Sequence, residues 1–331
     1  MRRRDRTRTG PWRLCWLVGL TGIACAAFGA SGLACDSSSC SLLTRGENSL
    51  VPPKGLRLDI SFGYADQGRL QQGSREVDAV FRPRIFLERQ RIFPAFHRDL
   101  DGYDRVVQMD LAYGLSTRLN ITTSVPLALW HAHDVAHGSL EQEYGTTGLG
   151  DVLIGLRGTF GPRGLVGGAS IKLPTGDYRV GGEFGGGIQD PTLQPGTGSV
   201  DLVGTLQYSW RSDFLRLRWS VSGSYQRTTT NDLEYRFGNQ TIVAAGVVRP
   251  LSTRLSASLQ AKLFHQDRNR FLGQGVPSTG STTVYVTPGV RVTGPRNVSV
   301  YAFVLLTPYS YVNEAQLAPR VGVLAGLSKL F

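Results

Sequence analysis

Between Gly148 and Leu173 the chain sorts its residues by parity. Val152, Ile154, Leu156 and Phe160 take one set of alternate positions; Asp151, Gly155, Arg157 and Thr159 take the other. A Gly161-Pro162-Arg163-Gly164 break follows, and alternation then resumes with Ile171 and Leu173 against Ser170 and Lys172. A period of two marks a strand whose faces meet different surroundings, and the Gly/Pro break marks a tight turn. The unit recurs down the chain. Leu217, Trp219, Val221 and Tyr225 alternate with Arg216, Arg218, Ser220, Ser222 and Ser224; Leu255, Ala257, Leu259, Ala261 and Leu263 alternate with Ser256, Ser258, Gln260 and Lys262. Twelve strands are predicted, at 55–65, 104–114, 117–129, 149–160, 165–175, 199–211, 214–226, 238–249, 253–264, 281–292, 297–308 and 318–331.

Their length and spacing decide what kind of sheet this is. Many reach the ~9–11 residues that cross a bilayer at a tilt, beyond the roughly five or six usual in soluble proteins. Short breaks near 114–116, 161–164, 212–213, 250–253 and 294–297 alternate with longer segments at 66–103, 130–148, 176–198, 227–237, 265–280 and 309–317. Short periplasmic turns and long external loops are the asymmetry of an outer-membrane barrel, as is an even strand count. No helix is predicted that could cover so large a sheet. The expected fold is all-β: a transmembrane antiparallel up-and-down β-barrel of about twelve strands, apolar toward lipid and polar toward a lumen. Closure also removes exposed sheet edges.

The last strand supports the same reading. Val321, Val323, Ala325 and Leu327 lead at alternate positions to a terminal Phe331, which resembles the signal by which the outer-membrane barrel assembly machinery recognises its clients. Lys329 departs from that pattern, and its stem can snorkel at the membrane edge. Tyr64, Tyr113, Trp130, Phe160, Trp210, Tyr225 and Tyr309 fall near predicted strand ends, as interfacial girdles require.

Composition changes the picture mainly at the N-terminus. Arg2, Arg3, Arg4, Arg6, Arg8 and Arg13 precede an apolar stretch from Leu14 to Ala30, and small residues run to Ala34, so 1–34 reads as a cleaved secretory signal peptide. Its removal takes 6 of 36 basic and 1 of 25 acidic residues, lowering the net charge from +11 to +6. Nucleic-acid binding loses its main support. Cys35 and Cys40 are then the only mature cysteines, and in an exported protein the simplest fate of CDSSSC is a small disulfide loop; lipidation of Cys35 is the alternative. Residues 35–54 read as a periplasmic stub and linker, and 55–331 as the barrel.

The words GLGDVLIGLRG, LPTGDYR at 173–179 and PTLQPGTGSVDL at 191–202 resemble a family of bacterial outer-membrane transporters associated with meta-pathway phenol degradation. The resemblance implies an outer-membrane barrel carrying small apolar or aromatic compounds. Its specific words occur only between about 100 and 202.

Several groups could carry chemistry. His131, His133 and His137, with Asp134, lie in the predicted external segment 130–148; imidazoles of this kind suit zinc, copper or nickel, and His131 and His133 would share one side of an extended chain. His137-Gly138-Ser139 is similar to the His-x-Ser pair of outer-membrane lipid hydrolases, although Leu140 stands where Asn commonly follows. GGEFGGG at 181–187 lacks the Lys-Ser/Thr and the helix of a phosphate-binding loop. The predicted inward face carries Arg57, Asp59, Asp110, Asp151, Arg157, Lys172, Asp201, Arg216, Arg218, Lys262 and Arg291. These charges either pair across a filled interior or set ion preference, and their basic excess predicts mild anion selectivity. The expected function is passive passage of a small solute, with outer-membrane lipids as the surroundings and no cofactor or catalytic residue. The alternatives are a closed structural or surface-binding barrel and, more remotely, a lipid hydrolase.

Overall fold

The computed structural model describes residues 52–331, apart from 138, 162–163, 182–186 and 214–215, with the side chains of 82, 94–97 and 137 also outside it. The signal peptide and the Cys35/Cys40 pair lie outside the described residues. Twelve strands form the wall: β1 (Leu56–Asp66), β2 (Arg91–Gly114), β3 (Leu119–His137), β4 (Val152–Thr159), β5 (Leu165–Leu173), β6 (Asp201–Ser212), β7 (Leu217–Arg227), β8 (Gln240–Pro250), β9 (Leu255–Gln266), β10 (Ser281–Thr293), β11 (Val298–Ala318) and β12 (Val321–Leu330). Each pairs antiparallel with the next, and β1 pairs with β12, so the sheet closes without an edge. The up-and-down barrel expected from parity is the barrel observed.

Register puts like faces side by side. Ile60 stands opposite Leu327 and Met109, whereas Asp59 stands opposite Ser328 and Asp110. Outward side chains are apolar and uncovered: Leu202 and Leu206 each leave 56% of their surface exposed, while inward Thr287 leaves 0%. An apolar band of this extent needs lipid as its partner. Tyr208, Trp210 and Trp219 stack along its lower rim, with centroids 5.6 and 6.3 Å apart. At the same rim the Lys329 ammonium lies 4.3 Å from the Phe331 ring centroid, so its stem bends toward the membrane edge.

The external side differs from expectation. Three segments read as loop are strand: β2 begins at Arg91, β3 continues to His137 and β11 runs to Ala318. Their added lengths pair with further strands, Val80–Phe86 on β2, Leu140–Gly148 on β3 and Arg69–Gly73 on β11. Beyond the lipid band both faces of a strand become polar. Apolar alternation therefore stops before the strand does.

Candidate functional site

Among the described residues, cavities open at both ends of the lumen. The outer chamber, about 250 Å³, is lined by the external ends of the strands and by the loop around Pro191–Thr197. The periplasmic vestibule, about 510 Å³, is lined by Arg57, Arg218 and Arg291 together with Ser209, Ser220, Ser256, Ser299 and Ser328.

Between them the interior is filled. On β11, Tyr301 and Phe303 point inward and lie over glycines of the flanking strands, Gly326 of β12 and Gly289 of β10, where a Cβ would collide with each ring. The Tyr301 hydroxyl donates to Asp59, and the Arg291 guanidinium stacks 4.8 Å from the Tyr301 centroid. Ser124 donates to Asp110, and Gln108 Nε2 donates to Asp110 at 3.0 Å and to Ser124 at 2.7 Å. Arg157 donates to Gln207, and Lys262 lies 4.4 Å from the Tyr285 centroid. Fully buried polar side chains hold their places through such bonds.

A buried charge cluster shapes the outer chamber. Lys172 Nζ lies 2.6 Å from Asp201 and 3.2 Å from Asp151, with side chains 7%, 1% and 6% exposed. Lys172 also donates to Thr197. Asp151 accepts the backbone N–H groups of Gly176 and Thr197, each at 3.0 Å, while Asp201 accepts Gln226 Nε2 and the Thr229 N–H, each at 3.0 Å. Satisfied in this way, three buried charges become tolerable and fasten the chain at Gly176 and Thr197 inside the mouth. Gly196 sits where a Cβ would strike the Gly176 carbonyl. The words GLGD, LPTG and PGTGSVD, distant in sequence, are therefore the parts of one clamp.

Across the chamber His131 Nδ1 meets Asp104 at 3.0 Å, and Gln67 donates to the same carboxylate. His131 and His133 do share a face, but it is the lumen face of β3, not an exposed loop, and His131 is only 5% exposed. Among the described residues no group of three or more His, Cys, Asp or Glu is placed to hold a metal ion. The His137 side chain lies outside the described residues, and Ser139 is exposed beside the hairpin tip. Arg216 also departs from its expected place. It occupies the periplasmic turn after Asp213, with φ of 52°, because β7 begins one residue later.

The charges are segregated along the axis. Asp104, Asp151 and Asp201 face one lysine, Lys172, in the outer chamber, whereas the vestibule carries three arginines and no carboxylate among its lining residues. Glutamines share this lining with the charges. Gln226, Gln240 and Gln266 are direct cross-strand neighbours on β7, β8 and β9. The available signal was one Gln at the external end of each of three successive strands.

The outer chamber is roofed. Ile85 and Leu87 from the connection between β1 and β2 pack with Tyr235 from between β7 and β8, and with Phe271 and Val276 from between β9 and β10. Ile188 and Phe237 pack onto the same cluster, and Phe237 also lines the chamber. Glu88 accepts the Ile188 N–H at 2.7 Å, and Asn269 Nδ2 donates to the Tyr235 hydroxyl at 2.8 Å. Arg268 grips Glu314 with two bonds of 2.9 and 2.7 Å. Burial raises the Glu314 pKa, but bonds from Arg268 and the Ser278 N–H outweigh it and hold the group below its ordinary value.

A closed twelve-stranded barrel with an apolar belt and a polar interior defines an outer-membrane β-barrel protein. Residues 98–307 match the family described as "Putative MetA-pathway of phenol degradation", and the chain belongs to that family. Among solved structures it is similar to the COG4313 outer membrane channel from Pseudomonas putida F1, with 11% identity, TM-score 0.59, and coverage of 86% of this chain and 98% of that one. It also aligns with the P. putida toluene transporter TodX at 9% identity and TM-score 0.44, covering 85% and 91% of the two chains. The CymD monoaromatic hydrocarbon channel gives 11% identity and TM-score 0.44, covering 92% and 95%. At 11% identity the likeness to the COG4313 channel is one of fold. No curated protein matches the chain.

Proposed function

We propose that this protein is a passive outer-membrane channel for small solutes, small aromatic compounds among them. The carrying observation is the pair of cavities, about 250 and 510 Å³, of mixed polar and apolar lining, stacked inside one closed barrel. A purely structural barrel gains nothing from such spaces, since filled interiors pack better. Family membership supports an aromatic solute through the phenol-degradation description, and the fold shared with an outer-membrane channel supports passage. A solute enters from outside through the roof, rests in the chamber beside the 174–200 clamp, and leaves past Tyr301 and the arginine vestibule. The three vestibule arginines raise the local concentration of anions, so an aqueous path through them favours anions mildly.

Planar-bilayer recording under a salt gradient tests both statements. A small conductance with a reversal potential on the anion side is expected. Absence of conductance, together with no protein-dependent uptake of phenol by liposomes, would return the chain to the closed structural barrel.

A further inference from the structure

The periplasmic vestibule gathers donors from around the barrel. Arg57, Arg218 and Arg291 reach it from β1, β7 and β10, and no carboxylate stands among its described lining residues. Asp59, two residues along β1 from Arg57, is buried and accepts the Tyr301 hydroxyl instead of lining the space. Hydroxyls occupy the positions between the arginines. Ser209 stands directly opposite Ser220, Ser256 opposite Arg291, and Ser299 opposite Ser328. A guanidinium only donates, and a hydroxyl can turn its proton toward whatever accepts. Arg218 makes no ion pair or hydrogen bond with any described residue, and Asp213, in the turn before it, lies 3.4 Å from Arg211.

We infer that the vestibule is a binding site for small oxyanions, reached from the periplasm, and that an oxyanion held there hinders passage through the barrel. The inference rests on the channel function proposed above and adds to it a site that regulates flow. Phosphate and carboxylate oxygens match the planar fork of an arginine and accept from several hydroxyls at once, which a spherical chloride cannot do with the same geometry. A cavity of about 510 Å³ has room for such an ion with part of its water. Access is one-sided for two reasons. Tyr301 and Phe303 fill the lumen beside Gly326 and Gly289, between the two cavities. Beyond them, the outer chamber presents Asp104, Asp151 and Asp201, and its Lys172 is already paired with two of these. An anion from outside therefore meets three carboxylates before it meets an arginine, whereas one from the periplasm meets arginines first. A solute leaving past Tyr301 has to cross the same space, so a bound oxyanion stands in its way.

Bilayer recording of the purified full-length barrel, inserted in one orientation, tests the site with inorganic phosphate against chloride at equal ionic strength. Phosphate on the periplasmic side should lower the conductance saturably, and on the external side it should need at least about a tenfold higher concentration. Arg218→Gln removes a guanidinium that bonds to no other described part of the protein, so heat-modifiable migration should be unchanged. Its concentration of phosphate for half block should rise at least about threefold. Equal block from both sides, chloride as effective as phosphate, or an unchanged half-block concentration in the folded variant overturns the inference. Isothermal titration of the barrel in detergent with inorganic phosphate separates the two ideas. Conductance without phosphate binding removes the site and leaves the channel. Phosphate binding that Arg218→Gln weakens, in a barrel without conductance, removes the channel and leaves the oxyanion site.

Discussion

The ammonium of Lys172 lies 2.6 Å from the carboxylate of Asp201, and neither side chain is more than 7% exposed. Because Asp151 shares the same lysine, removing that cation leaves two buried carboxylates held by neutral hydrogen-bond donors, with no counter-charge from Lys172. Lys172→Met should therefore cost about 3–5 kcal/mol locally and release the loop 174–200 from the mouth. The expected result is new protease cleavage within that loop, together with a larger and noisier single-channel conductance. A variant with the parent's conductance and protection would show that the clamp does not hold the loop.

The roof should yield to one substitution. Tyr235 is 0% exposed, packs with its ring centroid 5.0 Å from that of Phe237, and belongs wholly to the external connections. Tyr235→Ala should cost about 3–5 kcal/mol of roof packing and leave the barrel wall intact. Conductance should rise while the temperature of the heat-modifiable transition stays within a few degrees. Loss of the folded barrel instead would mean the roof and wall form one cooperative unit.

Acid should loosen the roof, with a defined sign. Glu314 is held below its ordinary pKa by Arg268 and the Ser278 N–H, against the effect of burial. A depressed carboxylate contributes stability above its unfolded value, and that contribution is lost as pH falls through the folded value. Docking of the connection 267–280 should thus persist at neutral pH and weaken only as the pH falls below the ordinary glutamate range. Partial surface exposure keeps the effect modest. Limited proteolysis across pH should show onset of cleavage in acid, and Glu314→Gln should cleave at every pH.

Two neighbouring arginines should behave differently. Arg218 lines the vestibule, whereas Arg216 sits in the turn before β7. Arg218→Glu should shift the reversal potential toward the cation side, and Arg216→Glu should shift it much less. Equal shifts would mean that charge at the periplasmic rim, not in the vestibule, sets the preference.

Much of the wall was legible before any coordinates. Ile154 and Leu156 against Gly155 and Arg157 announce a two-faced strand, and lipid outside with a polar lumen inside enforces that parity residue by residue. The strand carrying His131 and His133 runs past its pattern because outside the bilayer nothing demands an apolar face, so the strand continues without its signal. Inward charges could be named, but not their partners. Asp59 finds Tyr301 and Lys172 finds Asp201 through closure and stagger of the ring.

The sequence by itself determined the strands, their faces, their number and the membrane they suit, because those follow from a local period and from length. Tertiary structure alone decided that GLGD, LPTG and PGTGSVD form one clamp, that Tyr235, Phe271 and Ile85 from three connections meet as a roof, and that glutamines stand beside the paired charges of the outer chamber. Such contacts join residues far apart in the chain. Their free energy depends on which loops fold inward and on which buried polar groups find partners, and neither is written in any local pattern.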